Sequence, residues 1–115
     1  ELVHAAGVVD KDLAPWVTEG ITEAVAQDIA KQKKWKHRET YPEYVRVIRK
    51  QMAPAAGLTV LQIGEIVAAA PRRAGRDLSR RLALRSNIPE RTWYKAIGPG
   101  SLSPTNFTKL TKKAR

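Results

Sequence analysis

The run "DLSRRLALRSNIPERTWYKAI", residues 77–97, together with the preceding Arg76, holds five arginines around a Ser86-Asn87 break. A guanidinium is planar, binds phosphate through two parallel N–H donors, and sheds water more readily than an ammonium. Seven arginines crowd residues 72–91, whereas no lysine occurs between Lys50 and Lys95. A purely solubilising surface would mix Lys with Glu. The chemistry this pattern favours is phosphate recognition.

Charge along the chain points the same way. The 115 residues carry a formal charge of +10. Residues 1–30 hold six acids and one base, and residues 31–115 hold 20 bases and five acids. The net charges of −5 and +15 make a polarised field that suits a polyanionic partner. Catalytic groupings are missing. There is no cysteine, so disulfides and thiolate chemistry are excluded, and His4 and His37 stand too far apart to form a metal-binding spacing. No paired carboxylates, Ser-His-Asp set or phosphate-binding glycine loop is evident, and "GPGS" at 98–101 lacks the Lys-Ser/Thr of a P-loop. Neither enzymatic activity nor a cofactor is expected. No apolar run approaches the roughly 20 residues of a membrane span, so the expectation is a soluble, intracellular chain without a membrane partner.

The elements that must position the arginines read as helices. Leu13, Trp16, Val17, Ile21, Ala24, Val25 and Ile29 recur at steps of three and four. They predict a helix over about 12–34, capped by Asp10 or Asp12, with Pro15 in its first turn and Gly20 as a weak point. "KQKKWKHR", residues 31–38, is read as that helix's basic C-terminus with Trp35 in the core, in preference to a nucleic-acid contact with a stacking indole. Thr40, Pro42 and Glu43 predict a second helix with Tyr44, Val45, Ile48 and Met52 inward, ended by "APAAG" at 53–57. A third runs from Thr59 to Pro71. Asp77 is placed to cap a helix to Ser86, and Asn87 to turn the chain in a left-handed conformation and, with Glu90, to box the start of a helix over 88–97. Ser103 and Pro104 open a last helix anchored by Phe107 and Leu110. The fold expected is all-α, a small bundle of five to six helices. Residues 1–56 are expected to form an acidic-to-basic N-terminal helical region, and residues 57–115 a second domain that holds the paired helices around Asn87 and a basic C-terminal helix.

The paired helices around Asn87 resemble the helix-turn-helix of phage repressor and Cro-type regulators. Laid on that motif, Ser79 is the first position and Gly98 the last. Ala83 falls where the helices cross, Asn87 falls at the turn, and Leu82, Ile88, Trp93 and Ala96 fall at apolar positions. Ser86 departs from an aliphatic preference, and Pro89 is unusual so early in a recognition helix. The resemblance implies double-stranded DNA as the partner, with Pro89, Glu90, Arg91, Tyr94 and Lys95 facing the major groove. Of these, Glu90, Arg91, Tyr94 and Lys95 are the base-contact candidates, and Trp93 belongs to the core. Arg76, Arg80, Arg81 and Arg85 would clamp phosphates, joined by Arg72 and Arg73 upstream and by Lys109, Lys112 and Lys113 in the tail. A sequence-specific regulator, or a factor in mobile-element replication or recombination, associated with the cytoplasmic nucleoid, fits this reading. The acidic first helix is then a candidate surface for a homodimer or a protein partner. The alternative is an RNA-binding or packaging module without base specificity, which competition between duplex DNA and RNA separates.

Overall fold

A computed structural model describes residues 12–114, and within them every regular element is helical. Helix α1 is Pro15–Gln32. Helix α2 starts at Pro42, passes through a π-helical turn at Ile48–Met52 and ends at Ala56. Helix α3 is Val60–Ala69, and a 3-10 turn at Pro71–Arg73 leads into α4, Ala74–Leu84. Helices α5, Glu90–Ile97, and α6, Thr105–Lys113, complete the bundle. The expected small all-α bundle is what the chain forms.

Local chemistry accounts for the breaks. Pro54 has no N–H and its ring crowds the carbonyl four residues back. The widened π turn just before it accommodates this, with Ala53 N–H bonding the Ile48 carbonyl. Gly57 then takes a left-handed φ of 68°, and the N–H groups of Gly57 and Leu58 return to Pro54 and Ala53. That is the Schellman ending for which glycine has no Cβ penalty. The chain bends by 82° into α3, which opens with the reciprocal Thr59/Gln62 capping box.

One apolar cluster runs from Leu13 to Phe107 and includes residues on both sides of position 56/57. Its spine is aromatic. Trp93 of α5 meets Phe107 of α6 with centroids 5.5 Å apart, Phe107 meets Trp16 of α1 at 6.0 Å, and Trp16 meets Tyr44 of α2 at 6.4 Å. Each buried indole N–H finds a serine hydroxyl: Trp16 donates to Ser101 and Trp93 to Ser86, both at 3.0 Å. Gly20 lies where α2 crosses α1, since a Cβ there would sit 3.0 Å from the Tyr44 carbonyl oxygen. The apparent weak point in α1 is a close-approach position.

Candidate nucleic-acid interface

The break between α4 and α5 spans residues 85–89, and a serine organises it. Ser86 Oγ donates to the Leu82 carbonyl at 2.8 Å and accepts from Ile88 N–H at 3.2 Å and from Trp93 Nε1. The residue that departs from the aliphatic preference therefore ties the end of α4 to the core of α5. Asn87 does not adopt the left-handed conformation expected of it: among the described residues, only Lys34 and Tyr41 do so besides glycine. No Asn87–Glu90 box forms either. Pro89, extended at φ −60° and ψ 151°, is the residue before α5, and Glu90 lies 3.6 Å from Arg80.

Asp77 also departs from expectation. It lies inside the first turn of α4, 3.5 Å from Arg73. The carboxylate that caps α4 is Asp12, 64 residues away, whose Oδ2 accepts the Arg76 N–H at 2.9 Å. Asp12 is buried, and no side chain caps α1, which opens with Ala14 followed by Pro15. An anion at that helix end is favoured by the dipole and satisfies a donor that the helix leaves free.

Asp12 also decides the fate of Tyr94. The tyrosine hydroxyl donates to Asp12 Oδ1, and the half-buried ring lies between Gly75 and Gly98. Tyr94 is therefore removed from the base-contact set, because a long-range carboxylate holds it against the start of α4. Gly98, four residues on, leaves room for the ring, since a Cβ there would lie 3.2 Å from Tyr94 Cε2. The Asp12 hydrogen bond, burial and the nearby Asp12 charge raise the Tyr94 pKa above its ordinary 10, against a smaller opposite effect from Arg76. Since the folded value exceeds the unfolded one, this stabilisation is complete below about pH 10 and is lost as pH rises through the folded value. Tyr94→Phe is expected to cost about 1.5–3 kcal/mol at neutral pH, with the deficit shrinking above pH 10. Urea denaturation across pH 7–11 checks this, and a pH-independent deficit would contradict it.

The arginines divide into two groups. Arg81 Nε donates to the Ala56 carbonyl at 2.9 Å, and the Arg85 guanidinium lies over Gly57. Both reach toward the C-terminal end of α2, where cations are favoured. These two phosphate candidates are thus drawn into structural contacts. Arg76 is exposed but stands 3.6 Å from Asp12, and Arg73 and Arg80 make the long, solvated pairs noted above, whose worth is about 0–1 kcal/mol. Arg91 and Lys95, exposed and one turn apart on α5, form no hydrogen bond or ion pair among the described residues, and neither does the side chain of Arg72. Lys109, Lys112 and Lys113 are likewise exposed, and the last turn of α6 shares a small cleft with Arg85, Ser86 and Trp93.

The expected acidic partner surface on α1 is largely consumed within the fold. Glu23 Oε2 accepts from Gln27, His37 and the Thr40 N–H at 3.1, 2.7 and 3.2 Å, and Asp28 pairs with Arg49 at 2.7 Å. Burial raises the Glu23 pKa, but the hydrogen bonds from His37, Thr40 and Gln27 outweigh it and leave the group below its ordinary value. Asp10 and Glu1 lie outside the described residues. Toward solvent, α1 instead shares an apolar groove of about 630 Å³ with α3, lined by Ile21, Val25, Ile29, Leu61 and Val67 among others.

Thr40, expected to cap α2, gives its N–H to Glu23, and the residue before the helix is the left-handed Tyr41. Trp35, expected in the core, is 64% exposed. No cluster of His, Cys, Asp or Glu suited to a metal ion occurs among the described residues, and no single helix there is long and apolar enough to cross a membrane. The class that fold and surface define is a small all-α bundle with a cationic helix pair. Comparison with family models, curated proteins and solved structures returns no match.

Proposed function

We propose that this chain binds double-stranded DNA, with α5 entering the major groove and Arg91 and Lys95 reading it. The observation that carries this reading is the pair of exposed, unpartnered cations on a short helix that follows the break at residues 85–89 and is anchored by the buried Trp93. A cation free of intramolecular partners has no ion pair to give up when it meets a base edge or a phosphate. Arg91 is suited to guanine O6 and N7 through two parallel hydrogen bonds. Arg72, Arg73, Arg76 and Arg80, with the lysines of α6, supply sequence-independent attraction. Arg81 and Arg85 hold the helix pair against α2. A regulatory or mobile-element role at the nucleoid, and pairing of two copies on two half-sites, are proposed alongside this reading. Light scattering that shows one copy on DNA would remove the pairing.

Two substitutions separate the roles. Arg91→Ala is expected to relax preference at one base pair by about 1–3 kcal/mol. Arg72→Ala is expected to weaken all duplexes alike and to reduce the slope of log K against log salt by about one. Titrations of selected and scrambled duplexes at several salt concentrations check both. Equal losses on the two duplexes for Arg91→Ala would argue against α5 as the reading helix.

A further inference from the structure

Beyond the helix pair, the segment from Lys31 to Arg38 carries the densest exposed charge of the N-terminal half, with an aromatic ring inside it. Lys31, Lys33, Lys34, Trp35, Lys36, His37 and Arg38 are all exposed. The segment is pinned at both ends. Trp35 N–H donates to the Ala30 carbonyl at 2.8 Å, and Lys34 turns the chain with φ 58°. Downstream, Glu23 holds both His37 and Thr40. The indole is therefore presented by a braced turn. Lys33 Nζ stands over the ring at 5.9 Å, and the ring also walls a cleft of about 300 Å³ completed by Gln27, Ala30, Lys31, His37 and Glu39. That volume is at the lower end for small-ligand pockets.

We infer that this cleft is a stacking site for one unpaired nucleobase, with Trp35 as the platform and the flanking lysines holding the adjoining phosphates. Its occupant is a single-stranded stretch, DNA or RNA, because a paired base keeps both faces inside its own stack. Planar aromatic surface joined to cationic side chains is the general means of holding single strands. Glu39 and His37 at the rim offer an acceptor and a ring nitrogen to the edge of the base. The inference rests on the reading of the chain as a nucleic-acid binder and adds a second contact of a different kind.

The test uses the protein's own fluorescence. Trp16 and Trp93 are 2% and 0% exposed, which leaves Trp35 as the accessible indole of the three. Titration with single-stranded DNA and RNA ten-mers is expected to quench it, and Trp35→Leu is expected to weaken single-strand binding about five- to a hundredfold with an unchanged thermal melt. Quenching by either strand supports the site, and a preference between them identifies the sugar. Absent quenching in the unaltered chain, or unchanged single-strand affinity in Trp35→Leu, would overturn it. A blunt duplex titrated in parallel keeps the two claims apart. Its loss in Arg91→Ala alone concerns α5, and its failure to bind at all would sink the major-groove reading while leaving single-strand quenching to decide this one.

Discussion

Replacing Trp93 with alanine is expected to remove about 3–5 kcal/mol of stability, a large share of the roughly 5–15 kcal/mol that a domain possesses. The side chain is fully buried, meets Phe107 at 5.5 Å and donates to Ser86. Its removal leaves a cavity between α5 and α6 and takes from the Ser86 hydroxyl one of three partners that define the α4–α5 break. Trp93→Phe should retain most of the packing and lose mainly the hydrogen bond, for about 1–2 kcal/mol. Urea denaturation followed by circular dichroism gives both values. A loss below about 1 kcal/mol in the alanine variant would mean that α5 is not docked as described, and the geometry offered for DNA contact would fall with it.

Gly75→Ala is the second large effect. A Cβ at this position would lie 1.9 Å from the Asp12 carbonyl oxygen and 3.0 Å from Tyr94 Cε1. A backbone oxygen cannot swing aside as a side chain can, so either the segment before α1 lifts or α4 shifts away from it. Either movement disturbs the Asp12 contacts to Arg76 N–H and Tyr94. Overpacking of about 1–3 kcal/mol and the weakened charged hydrogen bonds outweigh the gain of about 1 kcal/mol from alanine's helix propensity, for a net loss of about 2–5 kcal/mol. The mechanism has a signature. In a Gly75→Ala background, Tyr94→Phe should cost little further, because its hydrogen bond is already compromised. Full additivity would show that Asp12 stays in place and that the strain is relieved elsewhere.

Much of the fold was legible because helices announce themselves locally. The apolar spacing of α1, the inward Val45, Ile48 and Met52 of α2, the start of α3 after Thr59 and the burial of Trp93 and Phe107 all follow from residues within a turn or two of one another. What escaped was set by partners far along the chain. Asp12 reads as a cap for the helix beside it, yet its oxygens are taken by α4 and α5, 64 and 82 residues away. Tyr94 reads as outward by helical spacing, and only that distant carboxylate turns it inward. Trp35 reads as core by its apolar surface, but its neighbours are charged on both sides and cannot follow it inside. Ser86 was visible as an oddity without a purpose, because its hydroxyl acquires one only when Trp93 folds back over the break.

The candidate surface was legible in composition more than in detail. Arginine enrichment over 72–91 singled out α4 and the start of α5, where the side chains of Arg72 and Arg91 stand exposed and unpartnered, as does Lys95 one turn further on. Arg81 and Arg85 shared the same enrichment for a different reason, since the open carbonyl end of α2 attracts cations as a phosphate does. Charge alone does not show which arginines the fold itself takes up.

The most direct measurement is a chemical protection footprint of the protein on a library of genomic duplex fragments at near-physiological salt. The account expects a discrete protected interval, with guanine N7 shielded in the major groove at a position that Arg91→Ala exposes again. Uniform weak protection along every fragment, or equal displacement by any RNA competitor, would contradict it.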